Sequence, residues 1–148
     1  MEFTTNMPAV LNTVNLKLSA LDIKRMTNTQ AVTLMAVMRD RIHVQGRDSN
    51  GVPIGVYSPR YIKYTRNSKK YHRGTDSKVI LSLTRQMEDS YIPVELANGT
   101  GIGFSTHEDF LKAGWCEETY KKHIFKPTAE ETAMVNQIAE EYIAKHLG

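Results

Sequence analysis

Two strand-like segments on either side of Asn98-Gly99 constrain this chain more than any other part of its sequence. An Asn-Gly pair between β-prone segments predicts a two-residue hairpin loop, because both loop residues of a type I′ turn need positive φ. Residues 91–97 would form the first strand and residues 100–105 the second. The alternation of the first strand predicts one buried face, formed by Ile92, Val94 and Leu96.

Three residues of this hairpin are candidates for contact with another subunit. Pro93 has no amide hydrogen, so we expect a free edge or a bulge at that point of the first strand. Gly101 and Gly103 leave one face of the second strand without side chains. Two interpretations stay open: a twisted edge strand, or a surface against which the backbone of a neighbouring subunit packs closely.

Two segments have the apolar spacing of α-helices and recognisable start signals. Residues 29–45 form a clear apolar stripe, and Thr29 is the expected N-cap. A second helix is predicted from Thr106 to about Lys121, because Asp109 follows three residues after Thr106 and resembles the second half of a capping box. Its partly inward-facing residues would be Leu111, Ala113, Trp115, Cys116 and Tyr120.

The last helix has the strongest start signal. Thr128 and Glu131 form a Thr-x-x-Glu capping box just after Pro127. Glu131 is expected on the polar side of this helix, together with Glu130, Glu140 and Glu141. The apolar stripe of helical period consists of Met134, Val135, Ile138, Ala139, Tyr142 and Ile143.

The remaining segments complete an α+β prediction. Residues 79–83 suit a short buried strand, and Thr84 is a possible cap for a short helix. Before Leu21 the apolar spacing fits a strand or a helix, and we favour a short strand or an extended arm. The predicted fold is a single domain over 1–148, in which a small antiparallel sheet with a β-hairpin is flanked by a long helix and a C-terminal amphipathic helix.

Residues 46–78 are predicted to form a long basic loop rich in Gly, Pro and Tyr, with sparse regular structure. Tyrosines alternate with basic residues there, which is typical both of protein interfaces and of nucleic-acid surfaces. A protein interface, a flexible solvated loop and nucleic-acid contact all remain open. The candidate interface residues of the loop are Arg47, Tyr57, Arg60, Tyr61, Lys63, Tyr64 and Arg66.

Composition excludes several classes of protein. The chain has 148 residues, one cysteine and a formal net charge of +3. One cysteine excludes an internal disulfide framework and every multi-cysteine metal site. No apolar run approaches the roughly 20 residues of a membrane span, and the N-terminus lacks the basic and apolar regions of a signal peptide. We expect a protein that is made and used in a cytoplasm.

No catalytic constellation is recognisable in the sequence. The five histidines do not have the spacing of a helical metal pair, and a thiol beside a tryptophan, as at Cys116, is typical of a small core residue. The hairpin glycines do not lie between a strand and a helix N-terminus, so they do not predict a phosphate-binding loop. We therefore expect no enzyme, no catalytic residue, no cofactor and no metal.

The order of motifs resembles the phage virion-morphogenesis family, the tail-completion or head–tail joining proteins of Mu-like and related tailed phages. Residues 50–57, NGVPIGVY, match its Gly/Pro loop, and residues 80–90, ILSLTRQMEDS, match its following Thr-containing motif. Ile102-Gly103 and residues 125–131 match two later motifs, so the resemblance covers roughly residues 30–145. Arg85 stands where the family usually has Gly.

This resemblance implies an α+β subunit of a ring, usually hexameric, at the top of the tail tube or in the neck of the virion. The partners would be other copies of the chain, a head-side connector or neck protein and the tail tube protein. Assembly would take place in the host cytoplasm, and no catalytic residue is carried over. The basic loop would then reach a neighbouring subunit, an acidic partner or DNA in the lumen. The alternative function is a nucleic-acid-binding module that uses this loop.

Overall fold

The structure, a computed structural model, describes residues 22–97 and 99–147. Its elements are α1 (Ile23–His43), α2 (Pro59–Tyr61), a π-helical turn (Ile62–Arg66), α3 (Gln86–Ser90), β1 (Tyr91–Leu96), β2 (Gly99–Phe104), α4 (His107–Tyr120) and α5 (Ala129–Leu147). The two strands form an antiparallel hairpin, which confirms the α+β prediction and its long first and C-terminal helices. The predicted N-terminal arm falls on residues 1–21, outside the described residues.

Helix α1 begins six residues before the predicted start. The side chain of Asp22 caps it, accepting a hydrogen bond from the Arg25 amide at 2.9 Å. Thr29, the predicted cap, lies inside the helix and donates its hydroxyl to the Arg25 carbonyl at 3.0 Å. The predicted start was wrong because a threonine hydroxyl can form a hydrogen bond with the preceding turn of a helix as well as with an amide at an N-cap.

The predicted capping box of α5 is confirmed, and Thr106 is confirmed as the N-cap of α4. At the start of α5 the Glu131 amide donates to Thr128 Oγ1 at 3.0 Å, and the Thr128 amide donates to Glu131 Oε2 at 2.8 Å. At the start of α4 the Asp109 amide donates to Thr106 Oγ1 at 3.1 Å, while the Thr106 hydroxyl donates to Asp109 Oδ2 at 2.6 Å. This hydroxyl bond lowers the pKa of Asp109.

Arg41 and Glu131 form a buried ion pair that joins α1 to the start of α5. Arg41 Nε lies 2.7 Å from Glu131 Oε1, and both side chains are almost fully buried. The other guanidinium nitrogens donate to the carbonyls of Arg47, Ile124 and Lys126 at 3.0–3.2 Å. The prediction that Glu131 lies on the polar side of α5 is wrong, because its carboxylate serves both the cap and this pair.

Helices α1 and α5 run antiparallel along their length. Asp22 contacts Tyr142, Gln30 contacts Val135 and Arg41 contacts Glu131, so residue numbers rise on α5 as they fall on α1. The apolar stripe of α5 is half-buried along this contact, apart from the more exposed Ile143. The central core consists of Met38, Ile42, Ile54, Tyr57, Val79, Tyr91 and Ile124.

The hairpin has a different loop and a different inner face from those predicted. Leu96 pairs with Gly99, so Gly99 belongs to β2 and is not a loop residue, which corrects the predicted Asn98-Gly99 loop. Tyr91 is buried, and its ring lies 5.0 Å from that of Phe104. Because Tyr91 faces the core, the neighbouring positions of β1 turn outward: Ile92, Val94 and Leu96.

The predicted strand at residues 79–83 is absent from the described structure. The amides of Ile80 and Leu81 donate to the Tyr57 hydroxyl at 3.3 and 3.1 Å, and the Ser82 carbonyl accepts from Arg66 at 3.1 Å. Leu81 also has a positive φ of 48°. In a sheet, a neighbouring strand would form hydrogen bonds with these backbone groups. Here side chains of the basic loop form those hydrogen bonds instead.

The buried ion pair predicts that replacing its arginine lowers the free energy of unfolding far more than replacing the arginine of an exposed pair. Replacing Arg41 by Met leaves Glu131 buried without its cation, and we expect a loss of about 3–5 kcal/mol in the free energy of unfolding. The matched control is Arg39→Met, because Arg39 forms an exposed pair with Asp89 at 3.2 Å. It should cost no more than about 1 kcal/mol. Urea unfolding measures both, and equal losses would contradict the role of Arg41.

His43 predicts a loss of stability on mild acidification. Burial lowers the pKa of His43 from its ordinary 6.5, against smaller opposing effects of the Ile80 carbonyl and Glu88. Below pH 6.5 the unfolded chain therefore binds the proton before the folded chain, and stability falls as the pH drops toward the lowered value. His43→Gln should flatten this slope in urea unfolding series, and the same exchange at exposed His72 is the control. An unchanged slope in H43Q would contradict the prediction.

Candidate interaction surfaces

A broad groove lies between α4, residues 81–87 and the loop at residues 56–61, with a volume of about 620 Å³. We call it the α4 groove. Val56 and Trp115 are its most exposed large apolar residues, with exposed fractions of 73% and 57%. Its other large apolar and aromatic residues include Tyr61, Leu83, Met87 and Tyr120. Volumes of about 300–1,000 Å³ with apolar walls are typical of binding sites.

The charged residues that line the α4 groove are cations. They are Arg85 and Lys112, and no carboxylate lines it among the described residues. Lys112 Nζ pairs with Glu108 Oε1 at 3.0 Å, which raises the pKa of Lys112. Arg85 has a left-handed backbone with φ of 65°, the conformation that glycine adopts most easily. The turn thus keeps a glycine-like shape and carries a cation at the rim.

The Cys116 thiol and the Tyr120 hydroxyl on the groove wall are neutral at physiological pH. Burial raises the pKa of the Cys116 thiol, and it raises the pKa of the Tyr120 hydroxyl to about 12. Neither group is poised as a nucleophile or base. The groove is therefore suited to holding apolar side chains, and Trp and Tyr are the residues that contribute most often to protein–protein affinity.

Helix α4 presents a second apolar stripe to the outside. The predicted inward positions Ala113, Cys116 and Tyr120 are buried or half-buried, but Leu111 and Trp115 are exposed, which corrects the prediction for these two. Phe110 is 60% exposed next to them. The spacing of Leu111 and Trp115 was the sequence signal for this surface, and it was interpreted as partly inward-facing.

The outer face of the hairpin is apolar and flat. We call it the hairpin ridge: Ile92, Val94 and Leu96, paired across the strands with Gly103, Gly101 and Gly99. A Cβ atom on Gly101 would lie 2.9 Å from Leu96 Cδ1, and one on Gly103 would lie 3.1 Å from Val94 Cγ2. The glycines thus make room for the aliphatic side chains of β1 to lie across β2.

The predicted hairpin residues divide between the two faces. Gly101 and Gly103 lie on the hairpin ridge, where β2 contributes no side chains and β1 contributes Val94 and Ile92. Pro93 is half-buried and pairs with Ile102 on the opposite face, toward the core. The ridge therefore contains two of the three hairpin residues proposed from sequence.

The exposed cations of the loop cluster in α2 and in the residues that follow it. We call this cluster the basic turn: Arg60, Lys63, Tyr64, Lys69 and Lys70. Tyr64 is 66% exposed, and Lys63 Nζ lies 5.2 Å from the centre of its ring. The described residues supply no ion-pair partner to these cations. Arg47 is exposed at another point of the loop, where it donates to the Gly51 carbonyl at 3.2 Å.

Tyr57 and Arg66 lie in the interior of the chain, which corrects their prediction as surface residues. Only 7% of Tyr57 and 3% of Arg66 are exposed. The Arg66 guanidinium lies 4.6 Å from the Tyr57 ring centre, as a buried cation–π pair. Tyr61 packs on Tyr57 at a centroid distance of 5.1 Å and lines the α4 groove.

The described residues contain no group of three His, Cys, Asp or Glu side chains that could hold a metal ion. Within the same part of the chain, no helix is long and apolar enough to cross a membrane. Comparison of the chain with protein-family models, with curated proteins and with solved structures finds no match. Functional proposals therefore rest on the residues and surfaces of this chain.

Proposed function

We propose that this chain is a structural subunit of a tailed-phage virion, which joins head and tail or completes the tail by assembling with copies of itself. The observation that carries the proposal is the presence of two separate exposed apolar surfaces on one chain, the α4 groove and the hairpin ridge. Contiguous exposed apolar patches on small soluble domains mark interaction sites. A ring needs two different surfaces on each subunit, because its contacts are head-to-tail.

The positions of the two surfaces support this arrangement. The hairpin ridge ends beside Thr27, whose hydroxyl accepts a hydrogen bond from the Thr100 amide at 3.0 Å. Leu81, which lines the α4 groove, follows Ile80, whose carbonyl accepts a hydrogen bond from His43 Nδ1 at 3.1 Å. Thr27 and His43 are separated along α1 by about 24 Å, at 1.5 Å per residue. Opposite ends of α1 therefore contact the loop end of the hairpin ridge and the backbone that leads into the α4 groove.

The family resemblance adds an independent reason. Two of the matching motifs, residues 50–57 and residues 80–90, both contribute to the wall of the α4 groove. Arg85 stands where the family usually has glycine, and its left-handed φ of 65° keeps the backbone shape that glycine favours. The motifs that carry the resemblance thus converge on one of the two proposed contact surfaces.

The proposal includes specific partners and a location. Other copies of the chain would form the ring, with a hexamer as the expected number. A head-side connector or neck protein would bind one face of this ring and the tail tube protein the other. The chain would be part of the virion after assembly in the host cytoplasm, and no catalytic step is involved.

Mass spectrometry of purified virions tests this proposal. We expect the chain in particles of the phage that encodes it, at a small and constant copy number. In phage that carries Trp115→Ala, joined particles should fall at least tenfold, because the main apolar anchor of the groove is lost. Val32→Ala removes a 43% exposed side chain from α1 and is the matched control. Absence of the chain from virions, or full joining with W115A, would contradict the proposal.

Nucleic-acid binding is a second candidate function, favoured by the exposed cations of the basic turn, which have no ion-pair partner among residues 22–97 and 99–147. Phosphates attract such cations, and an exposed tyrosine can stack on a base. This function would use Arg60, Lys63 and Tyr64, whereas buried Arg66 would contribute nothing directly.

Binding to a DNA duplex at several salt concentrations tests this second function. Arg60→Ala and Lys63→Ala should each weaken binding and reduce the slope of log affinity against log salt by about 1. Lys145→Ala, at an exposed lysine of α5, should leave the slope unchanged. Binding that does not depend on salt, or no binding at all, would remove nucleic acid as a ligand.

A further inference from the structure

We propose that residues 14–20 add a third strand to the hairpin, antiparallel to β2 along its outer edge. The segment belongs to the same chain and lies just before α1 in the sequence. This inference goes beyond the proposed ring and uses neither of its contact surfaces. Four observations support it: the hydrogen-bond alternation of the hairpin, an apolar groove beside β2, the point at which the chain enters α1, and the residue pattern of the segment.

The alternation of hydrogen bonds in the hairpin shows which backbone groups point outward. The Ser105 amide donates to the Ser90 carbonyl at 2.7 Å, so these two residues form a hydrogen-bonded pair. Such pairs alternate with non-hydrogen-bonded pairs along an antiparallel ladder. Pro93 and Ile102 therefore form a non-hydrogen-bonded pair, which suits a proline because it has no amide hydrogen. The backbone amide and carbonyl of Ile102 thus point away from β1.

The two edges of the hairpin differ in what they offer to a further strand. On β1 the central outward position is Pro93, which has no amide to donate. The outward positions of β2 are Thr100, Ile102 and Phe104. The Thr100 amide donates to Thr27 Oγ1 at 3.0 Å, whereas the described residues supply no hydrogen-bond partner to the other two amides. Open edge groups are a template for another strand, so β2 is the edge that can receive one.

An apolar groove of about 340 Å³ lies beside this edge, between β2, α1 and the start of α5. We call it the β2 groove. Its apolar side chains include Leu34, Ile102, Phe125 and Val135, and no charged side chain lines it among the described residues. A strand added to β2 would direct every second side chain into this groove. Backbone pairing would then supply affinity, and the apolar side chains would fix the register.

The start of α1 lies between the hairpin and the end of α5. The Asp22 amide donates to the Tyr142 hydroxyl of α5 at 3.1 Å, and Thr27 binds Thr100 at the start of β2. The residues before Asp22 therefore enter α1 near the loop end of the hairpin. A segment that folds back from there along β2 runs antiparallel to it. Seven residues span about 23 Å as a strand, which matches the roughly 20 Å of the six-residue β2.

The residue pattern of the segment fits a strand with one apolar side. Its apolar residues occupy every second position: Val14, Leu16, Leu18 and Ala20. The residues between them are polar, and Lys17 is the single charged residue of the segment. This period of two is typical of a half-buried strand. The apolar side would cover the uncharged β2 groove, and the polar side would face solvent.

A helix is the competing arrangement, because helical spacing is also present at Leu11, Val14, Leu18 and Leu21. A helix forms its backbone hydrogen bonds within itself. It could cover the β2 groove, but it would leave the Ile102 amide without a partner. All six residues of β2 are half-buried, and backbone amides that lose contact with water need a hydrogen-bond partner. The open edge of β2 therefore favours a strand.

Residue-resolved hydrogen exchange of the full chain tests the added strand. The Ile102 amide should exchange at least a hundredfold more slowly than the Glu95 amide, which points outward from the opposite edge by the same alternation. Directly opposite residues share a face, so the residues that face the groove are those that bond to β2. Leu16→Pro removes one such donor and should speed exchange at Ile102 at least tenfold. Thr5→Pro, outside the segment, is the matched control and should change nothing.

Nuclear Overhauser effects identify the strand that pairs with β2. A uniformly labelled chain should show contacts between residues 14–20 and residues 99–104. A mixture of differently labelled copies should show no such contacts between copies, because the strand belongs to the same chain.

The outcomes decide the inference without reference to the ring. Slow exchange at Ile102, its acceleration in L16P and contacts within one chain support the added strand. Equally fast exchange at Ile102 and Glu95, or an unchanged Ile102 rate in L16P, would overturn it. Contacts between differently labelled copies would also overturn it, since the strand would then come from a neighbour.

Discussion

The buried pair of Arg41 and Glu131 is the contact on which the rest of the structure depends. One carboxylate closes the capping box of α5 with Thr128 and neutralises the guanidinium of Arg41. The same guanidinium binds backbone carbonyls at residues 47, 124 and 126. Helix α1, the loop that follows it and the start of α5 are therefore held at one point. Removing one partner of such a pair costs more than the pair contributes to stability, since the other charge stays buried.

A second buried cation shapes the α4 groove. Arg66 stacks on Tyr57, and these two side chains satisfy the backbone from Ile80 to Ser82. This segment can then run irregularly beneath the groove without a partner strand. Tyr57 and Arg66, two of the residues proposed from sequence as surface contacts, are instead buried and support the segment that lines the groove.

Local signals predicted much of the fold, and tertiary contacts decided the remainder. The caps of α4 and α5 each depend on a contact between residues three apart in the sequence. Thr106 and Thr128 were therefore identified correctly as capping residues. The alternation in the hairpin could not show which face is buried, because Tyr91 and Leu96 are both apolar and the choice depends on packing against α1 and Phe125. The sequence showed directly that Gly101 and Gly103 leave part of β2 without side chains. Trp115 was interpreted as partly inward-facing because its spacing on the helix does not show which other elements pack against it.

The proposed function requires that this chain assembles through two different surfaces into a closed ring. Native mass spectrometry of the purified chain over a range of concentrations tests it most directly. We expect one dominant oligomer of fixed subunit number, with no open-ended series of larger species, because head-to-tail contacts that close leave no free surface. A chain that stays monomeric at all concentrations would contradict it.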